Sequence, residues 1–412
     1  MAEFLNLIPP EKALRLLLSN LPIGICQKML VPSIASLNRV VALDIFSPYP
    51  LPIFPRSTVD GYALFSKDTF GASDSLPSYL SLIGEVLMGE DSNFELSAGE
   101  AVLIHTGGML PGNSDAVIMI EDTQLIGPNE LEIRKAVAVG ENVLGIGEDV
   151  CEGEIVITAG TVIRSVEIGG LMALGIIAIP VRAKPRVGII SSGDEIVHPD
   201  TELHIGQIRD VNTYLLTNLI SKWGGEPVSY GIVNDDLDKL ISIARAAHNE
   251  CDLVVFTAGS SVSIRDVTAS AIRSLGLPGV LVHGVNIRPG KPTILANCSG
   301  KPVIGLPGNP VSAYVTAKLF IAPLIKHLLG IKDSEISPIF KAELTSNVPS
   351  QAGREDWIPV IINTINEKRI ATPIFARSNF IFSLVSASGL MRINKDQTGL
   401  EAGEIIEVYE CE

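Results

Sequence analysis

Paired cysteines, metal-ligand spacings, aromatic platforms and long apolar runs are all missing from this 412-residue chain. Its five cysteines, Cys26, Cys151, Cys251, Cys298 and Cys411, are odd in number and far apart, and no two form a C-x-x-C pair. That pattern argues against a disulfide framework and a structural zinc site, and it suits a reducing, cytoplasmic setting. The six histidines form no H-E-x-x-H pattern. Aromatic residues make up 5% of the chain and the formal charge is −15. With neither a basic footprint nor a base-stacking platform, no nucleic acid is expected as a partner. One of the longest charge-free stretches, residues 168–181, spans 14 residues and contains glycine and proline. A spanning helix needs about 20 apolar residues, so no membrane segment is expected. The opening Met-Ala-Glu-Phe-Leu-Asn lacks a basic region followed by an apolar one, so no secretory signal is expected either.

What is present points to an ordinary folded protein of several domains. Hydrophobic residues make up 46% of the chain and charged residues 19%, enough apolar side chain for several cores. At roughly 100–200 residues per domain, the length predicts two to four domains. Pro9-Pro10 followed by Ala13, Leu14, Leu16, Leu17 and Leu18 predicts a helix that closes near Pro22. Prolines 48, 50, 52 and 55 favour extended backbone. Short alternating runs such as Tyr79 to Leu87 and Ala116 to Ile120, separated by glycine-bearing turns, predict a β-rich insert over 46–149. Residues 1–45 and 150–184, the latter with a helix around Val166 to Leu174, are expected to form one discontinuous mixed α+β linking domain.

Residues 185–330 alternate strand and helix. Strands are expected at Val187 to Ser191, Val228 to Val233, Leu253 to Thr257 and Val303 to Leu306. Asp210 or Asn212 is expected to cap a helix that runs to Trp223 and stops at Gly224-Gly225. Asn234-Asp235-Asp236 is expected to cap another helix, Asp266 to begin a third and Pro310 a fourth. This alternation predicts a doubly wound α/β domain, a parallel sheet with helices on both faces. The tail, 331–412, shows strands at Trp357 to Ile362 and Ile405 to Tyr409 and no long helix, which predicts a small β-barrel or sandwich.

In an open parallel sheet, ligands bind beyond the carboxyl ends of the strands. Three strand ends carry unusual loops: Ser191-Ser192-Gly193-Asp194-Glu195, Thr257 to Asp266 with Gly259 and Ser261, and Gly305-Leu306-Pro307-Gly308-Asn309-Pro310-Val311-Ser312. Any one of them could be only a turn; their convergence on one edge argues for a site. Arg288-Pro289-Gly290-Lys291-Pro292 holds two cations on a proline-stiffened turn, an arrangement suited to a phosphate or another oxyanion. Glu195, Asp235 and Asp266 lie at or near strand ends, and carboxylates facing a phosphate call for a cation such as Mg²⁺. In the insert, Asp60-Gly61 reads equally as a hairpin turn, and a lone His105 reads as structural.

The order of these motifs resembles the molybdopterin molybdenumtransferase family, which includes MoeA and the E domain of gephyrin. Ser57-Thr58-Val59-Asp60-Gly61-Tyr62-Ala63 is similar to its S-x-M-D-G-Y-A signature. There follow His105-Thr106-Gly107, Gly140-Glu141-Asn142, Gly147-Glu148-Asp149, Ser192 to Glu195, Gly206 to Asp210, Pro289 to Pro292 and Leu306 to Pro310. The resemblance covers essentially the whole chain. It implies a MogA-like α/β domain at 185–330, a C-terminal β-barrel-like domain at 331–412, and an elongated homodimer. In that dimer the α/β domain of one subunit faces the β-rich insert of the other. The implied reaction inserts molybdate, or tungstate, into adenylylated molybdopterin and releases AMP with Mg²⁺ assistance. Implied partners are the adenylyltransferase and the molybdoenzymes that accept the cofactor.

Matching the motifs residue by residue implies catalytic roles for Asp60, Thr106, Asp149, Glu195, Asp235, Asp266 and Lys291, with Mg²⁺ near Glu195 and Asp266. Substrate-binding roles fall to Ser192, Gly193, Gly259, Ser261, Arg288, Gly290, Pro307, Gly308, Asn309 and Ser312. The chain departs from the family pattern at Ala258, Ser260, Ser263 and Ile264, and at Gly284 and Arg288, where lysine is common. Two other functions are compatible with the residues: adenylylation of molybdopterin itself, and a dimeric binding or scaffold module with a degenerate site.

Overall fold

The computed structural model describes residues 7–258, 262–331 and 336–411, with the side chains of 258–266 excepted. The element that positions the site is a six-stranded sheet. Its order is Glu226–Val233, Arg186–Ser192, Leu253–Ala258, Lys301–Leu306, Ile294–Cys298, Pro278–His283. The first four strands are parallel, as the alternation predicts. The last two are antiparallel additions, joined through short turns that the strand–helix rhythm does not announce. Helices Asn212–Lys222, Leu237–Glu250 and Val262–Arg273 follow the parallel strands. Val187, Ile189, Leu253 and Val255 enter one core, while Ile190, Val254 and Phe256 enter another. Successive side chains of a strand point to opposite faces, so burial on both sides accounts for continuous apolar runs.

A 20-residue apolar helical stretch, Pro310–Leu329, runs through the larger core and turns more widely at Ala317–Ile321. It is long and apolar enough to cross a membrane, yet 89% of its apolar window is buried inside the protein. Gly330, at φ +77°, ends it in the left-handed conformation that glycine adopts without a Cβ clash. The first helix, Pro10–Ser19, packs Ala13 and Leu17 into this same core, beside Ile294–Cys298. Its apolar face covers the antiparallel side of the sheet.

The C-terminal region closes on itself. Glu355–Ile365, Lys368–Pro373, Phe340–Leu344, Ile405–Glu410 and Gly389–Ile393 pair in that order, and the last pairs back with the first. The result is a five-stranded barrel around Leu344, Val360, Ala371, Met391 and Val408. A short strand, Ile287–Arg288, pairs parallel with Glu355 and Asp356 and fastens the cationic turn to the barrel.

Residues 61–133 form a second six-stranded sheet with apolar clusters on its two faces, around Tyr62, Leu64 and Ile118 and around Ala63, Val102 and Ile104. On either side of this stretch, Lys28–Pro32 pairs with Ala178–Arg182 and Ile45–Phe46 with Ile155–Ile157. Val31, Val41, Ile45, Ile157, Leu171 and Ile179 share a core there.

Candidate active site

Four parallel strands place their carboxyl ends on one line, because Ser192 is in register with Val233 and Ala258, and Thr257 with Leu306. The loops that leave these ends are the predicted ones. Gly259 and Ser261 lie outside the described residues, as does the side chain of Asp266. The helix expected to begin at Asp266 begins earlier, at Val262, so Asp266 sits in its second turn rather than at its start.

At this edge Asp194 Oδ1 accepts from the Asp235 N–H at 3.1 Å and from Asn234 Nδ2 at 3.2 Å. The cap of the following helix is Asp236, whose carboxylate accepts from the Asp238 and Lys239 amides. Asp235 is therefore released from capping, and its Oδ1 is buried with no partner. Burial, with Asp194 and Glu195 nearby, raises its pKa above the usual aspartate value. Ser192 Oγ, Asn212 Oδ1, Thr213 Oγ1 and Thr268 Oγ1 are also buried without partners. Buried polar atoms are normally hydrogen-bonded, so these five orphans among the described residues of this domain mark room for a polar ligand. Asn212 Nδ2 donates to Gly308 O at 2.8 Å and ties this edge to the Leu306–Pro310 loop.

Next to that loop lies a cleft of about 880 Å³, walled by the α/β domain on one side and the barrel on the other. Arg288, Gly290, Lys291, Pro307, Gly308, Asn309 and Ser312 all line it. Gly290, at φ +122°, sets the cationic turn, and Thr293 holds it by donating through N (3.2 Å) and Oγ1 (2.7 Å) to the Gly290 carbonyl. A Cβ at Gly290 would stand 2.4 Å from Thr316 Cγ2. Thr316 is fully buried and held by its own bond to Ser312 O, so it cannot give way. Gly290→Ala is expected to cost about 1–3 kcal/mol of stability and to displace Lys291. A thermal melt alongside a turnover assay checks both, and an unchanged melt with full activity would refute it.

Asn309 occupies the predicted N-cap position, but its side chain does not cap. Instead Nδ2 donates to Ser378 Oγ at 2.9 Å, while the Val311 N–H donates to Ser378 O at 3.0 Å. Ser378 thus takes up part of that helix terminus.

The barrel's contribution is what the sequence reading missed. Arg354, Asp356, Arg377 and Ser378 line the same cleft. Among the described residues its walls carry four cations, Arg288, Lys291, Arg354 and Arg377, against one carboxylate, Asp356. In a chain of charge −15 this is a local reversal of sign, and walls of low dielectric strengthen its hold on an anion. A Gly353-Arg354 pair entering a strand was the available signal.

Asp60 and Thr106 are brought together in the other sheet. Asp60 Oδ1 accepts from the Thr106 N–H at 2.8 Å and from its hydroxyl at 3.2 Å. The Thr106 amide is the main reason that the Asp60 carboxyl lies below its usual pKa. His105 stands between two acids, with Nε2 2.8 Å from Glu85 Oε1 and Nδ1 3.8 Å from Asp60 Oδ1. It is partly exposed rather than the packed structural histidine expected. Asp149 is exposed, with its backbone N–H bonded to Leu51 O. None of Asp60, Thr106 or Asp149 lines the 880 Å³ cleft of its own chain.

Comparison with known proteins matches this arrangement along nearly the whole chain. The MoeA N-terminal region (domains I and II) matches residues 8–175, a molybdopterin-binding domain model matches 188–327, and the MoeA C-terminal region (domain IV) matches 341–411. A relative from Methanocaldococcus jannaschii, named for molybdopterin biosynthesis, is 37% identical over 388 residues, 92% of this chain and 91% of its own. This chain belongs to the MoeA family. The molybdopterin molybdenumtransferase of Bacillus subtilis is 31% identical over 90% of this chain and 87% of its own. The crystal structure of a MoeA protein from Pyrococcus horikoshii superposes with a TM-score of 0.84 at 32% identity, covering 98% of this chain and all of the other. In this MoeA-family chain the MogA-like sheet and the C-terminal barrel together build the cationic cleft.

Proposed function

We propose that this chain is a molybdopterin molybdenumtransferase that inserts molybdate into adenylylated molybdopterin and releases AMP. The observation that carries this reading is the cationic cleft beside a sheet edge rich in unpartnered polar atoms. Molybdate and tungstate are tetrahedral dianions, and Lys291, Arg288, Arg354 and Arg377 supply cations to hold one. Ser192, Gly193, Asn212 and Thr213 at the sheet edge and the Pro307–Asn309 loop of the cleft would bind the nucleotide end. Among the described residues no activated nucleophile is visible, so positioning and electrostatics carry the rate in this reading.

The edge carboxylates fit Mg²⁺. Asp235 has a buried oxygen without a partner, and Asp194 and Glu195 make its charge unfavourable until a cation arrives. Among the described residues no three His, Cys, Asp or Glu side chains form a complete metal cage. Mg²⁺ commonly takes one or two carboxylates and completes its shell with water and substrate phosphate. Glu195 and Asp235, with Asp266, would hold it, and when bound it would offset charge on the phosphate oxygens.

Asp60, Thr106 and Asp149 fit this reading if a second copy presents them, so the working unit is a homodimer. Leu30, Ile34 and Ile177 are each more than 70% exposed around the paired strands 28–32 and 178–182, an apolar surface suited to a partner. The deciding experiment measures AMP release from adenylylated molybdopterin with Mg²⁺ while molybdate is titrated. Release should depend on molybdate, and Asp60→Ala should lower it about tenfold or more, as loss of a charged hydrogen-bonding group does. A dimer that binds the nucleotide yet releases no AMP would sink the transferase reading and favour a binding module. Nucleotidyl transfer from ATP without molybdate would favour the adenylyltransferase.

A further inference from the structure

We propose that Asp356 is a positioning residue whose buried carboxylate fixes Arg354 and draws Arg288 to the same wall of the cleft, making one rigid anion cradle from two domains. The inference rests on reading the cleft as the oxyanion site. Asp356 is the one carboxylate among the described cleft-lining residues and is only 1% exposed. It accepts from Arg354 Nε at 2.6 Å and from Arg354 Nη2 at 3.0 Å, a forked pair along one edge of the guanidinium. Ser350 Oγ donates to Oδ2 at 3.0 Å, and Arg288 Nη1 lies 4.0 Å from the same oxygen. Arg354 and Asp356 belong to the barrel side. Arg288 comes from the short strand whose backbone pairs with Asp356 in register.

A negative charge in an anion site is at first sight a fault, and that makes the sign of its effect diagnostic. If Asp356 acts only through its charge, removing it raises the net positive potential and tightens anion binding. If it positions the arginines, removing it frees two long side chains, and the entropy of ordering them must then be met on binding. The forked geometry also fixes which guanidinium edge is taken, leaving the Nη1 edge of Arg354 for a ligand.

The test measures binding of inorganic molybdate to the full chain by titration calorimetry at fixed ionic strength. Asp356→Asn, close in shape, should weaken binding about tenfold, the scale of one charged hydrogen-bonded group. Asp356→Glu should recover part of the loss. In an Arg354→Gln background Asp356→Asn should cost clearly less than it does alone, because the part of its effect that acts through Arg354 is already lost. Molybdate affinity that is unchanged or tighter in Asp356→Asn overturns the inference, and so does full additivity with Arg354→Gln. If Asp356→Asn does not fold, Ser350→Ala serves. It loosens the carboxylate without changing any charge and should weaken binding about two- to threefold; unchanged affinity there counts equally against the inference. A wild-type chain that binds no molybdate overturns the cleft reading itself and takes this inference with it.

Discussion

Replacing Lys291 with glutamine is expected to lower molybdate-dependent AMP release about a hundredfold, the usual cost of deleting one preorganised donor at a site of developing charge. Two features of Lys291 support so large a figure. Its backbone is fixed by the Gly290–Thr293 turn and by the Val285 N–H, which donates to the Lys291 carbonyl at 2.9 Å. Its side chain lines the cleft exposed, with no carboxylate partner among the described residues, whereas Arg354 is already held by Asp356. Lys291 is therefore a cation free to follow a dianion as it transfers. If it acts in that step, kcat falls and the KM for the nucleotide substrate stays near its wild-type value. A loss confined to the KM for molybdate would assign it to binding alone. Lys291→Arg should recover activity only in part, because a planar fork replaces a compact ammonium. Exposed cations are screened within about 8 Å at physiological salt, so the wild-type KM for molybdate should rise with ionic strength. A Lys291→Gln enzyme within twofold of wild type would remove the cationic turn from the mechanism.

The turn around Lys291 was legible because its signals are local: a proline on each side, a glycine, and two cations three apart. The parallel strands were legible for a similar reason. Runs such as Val187 to Ser191 are apolar on both faces, and only a doubly covered sheet buries both. The barrel's share of the site depends on contacts that no local pattern carries. Arg354, Glu355 and Asp356 read in sequence as a charged run at the start of a strand. Strand alternation then puts Glu355 on the side of Trp357, which donates to it at 2.6 Å, and Asp356 on the other side, where Arg288 arrives from 68 positions away in the chain. Asn234-Asp235-Asp236 shows a different limit. Three residues there can each cap a helix, and spacing alone does not choose among them. Once Asp236 takes the cap, Asp235 is left with an unpartnered oxygen, so of its two sequence readings, cap and site carboxylate, the cap falls away. For Asn309 the cap position was legible but its bond to Ser378 was not, since that partner lies 69 positions away in the chain.

Asp235→Asn is expected to make the protein more stable at neutral pH and about ten- to a hundredfold less active, the range set by losing a hydrogen bond or ion contact to a charged group. The sign follows from linkage. Burial, then Asp194 and Glu195, raise the folded-state pKa of Asp235 above its ordinary 3.8, so the folded protein holds this proton more tightly than the unfolded chain does. Below pH 3.8 the carboxyl is protonated in both states and costs nothing. As pH rises through the folded value, the folded state must carry an ion beside two others, and that contribution to stability is lost. Asparagine removes the loss. Melting temperatures of the variant and the wild type should therefore converge towards pH 3.8 and separate, with the variant higher, as pH rises to 7. Mg²⁺ adds a second readout that does not depend on turnover. If Asp235 helps to bind it, Mg²⁺ should raise the wild-type melting temperature in proportion to its occupancy and leave the variant's nearly unchanged. A carboxylate that makes the empty fold less stable and is relieved by a bound cation is the expected exchange of stability for function at a working site. A variant that melts lower than wild type at pH 7 while keeping full activity would show that Asp235 serves the fold instead.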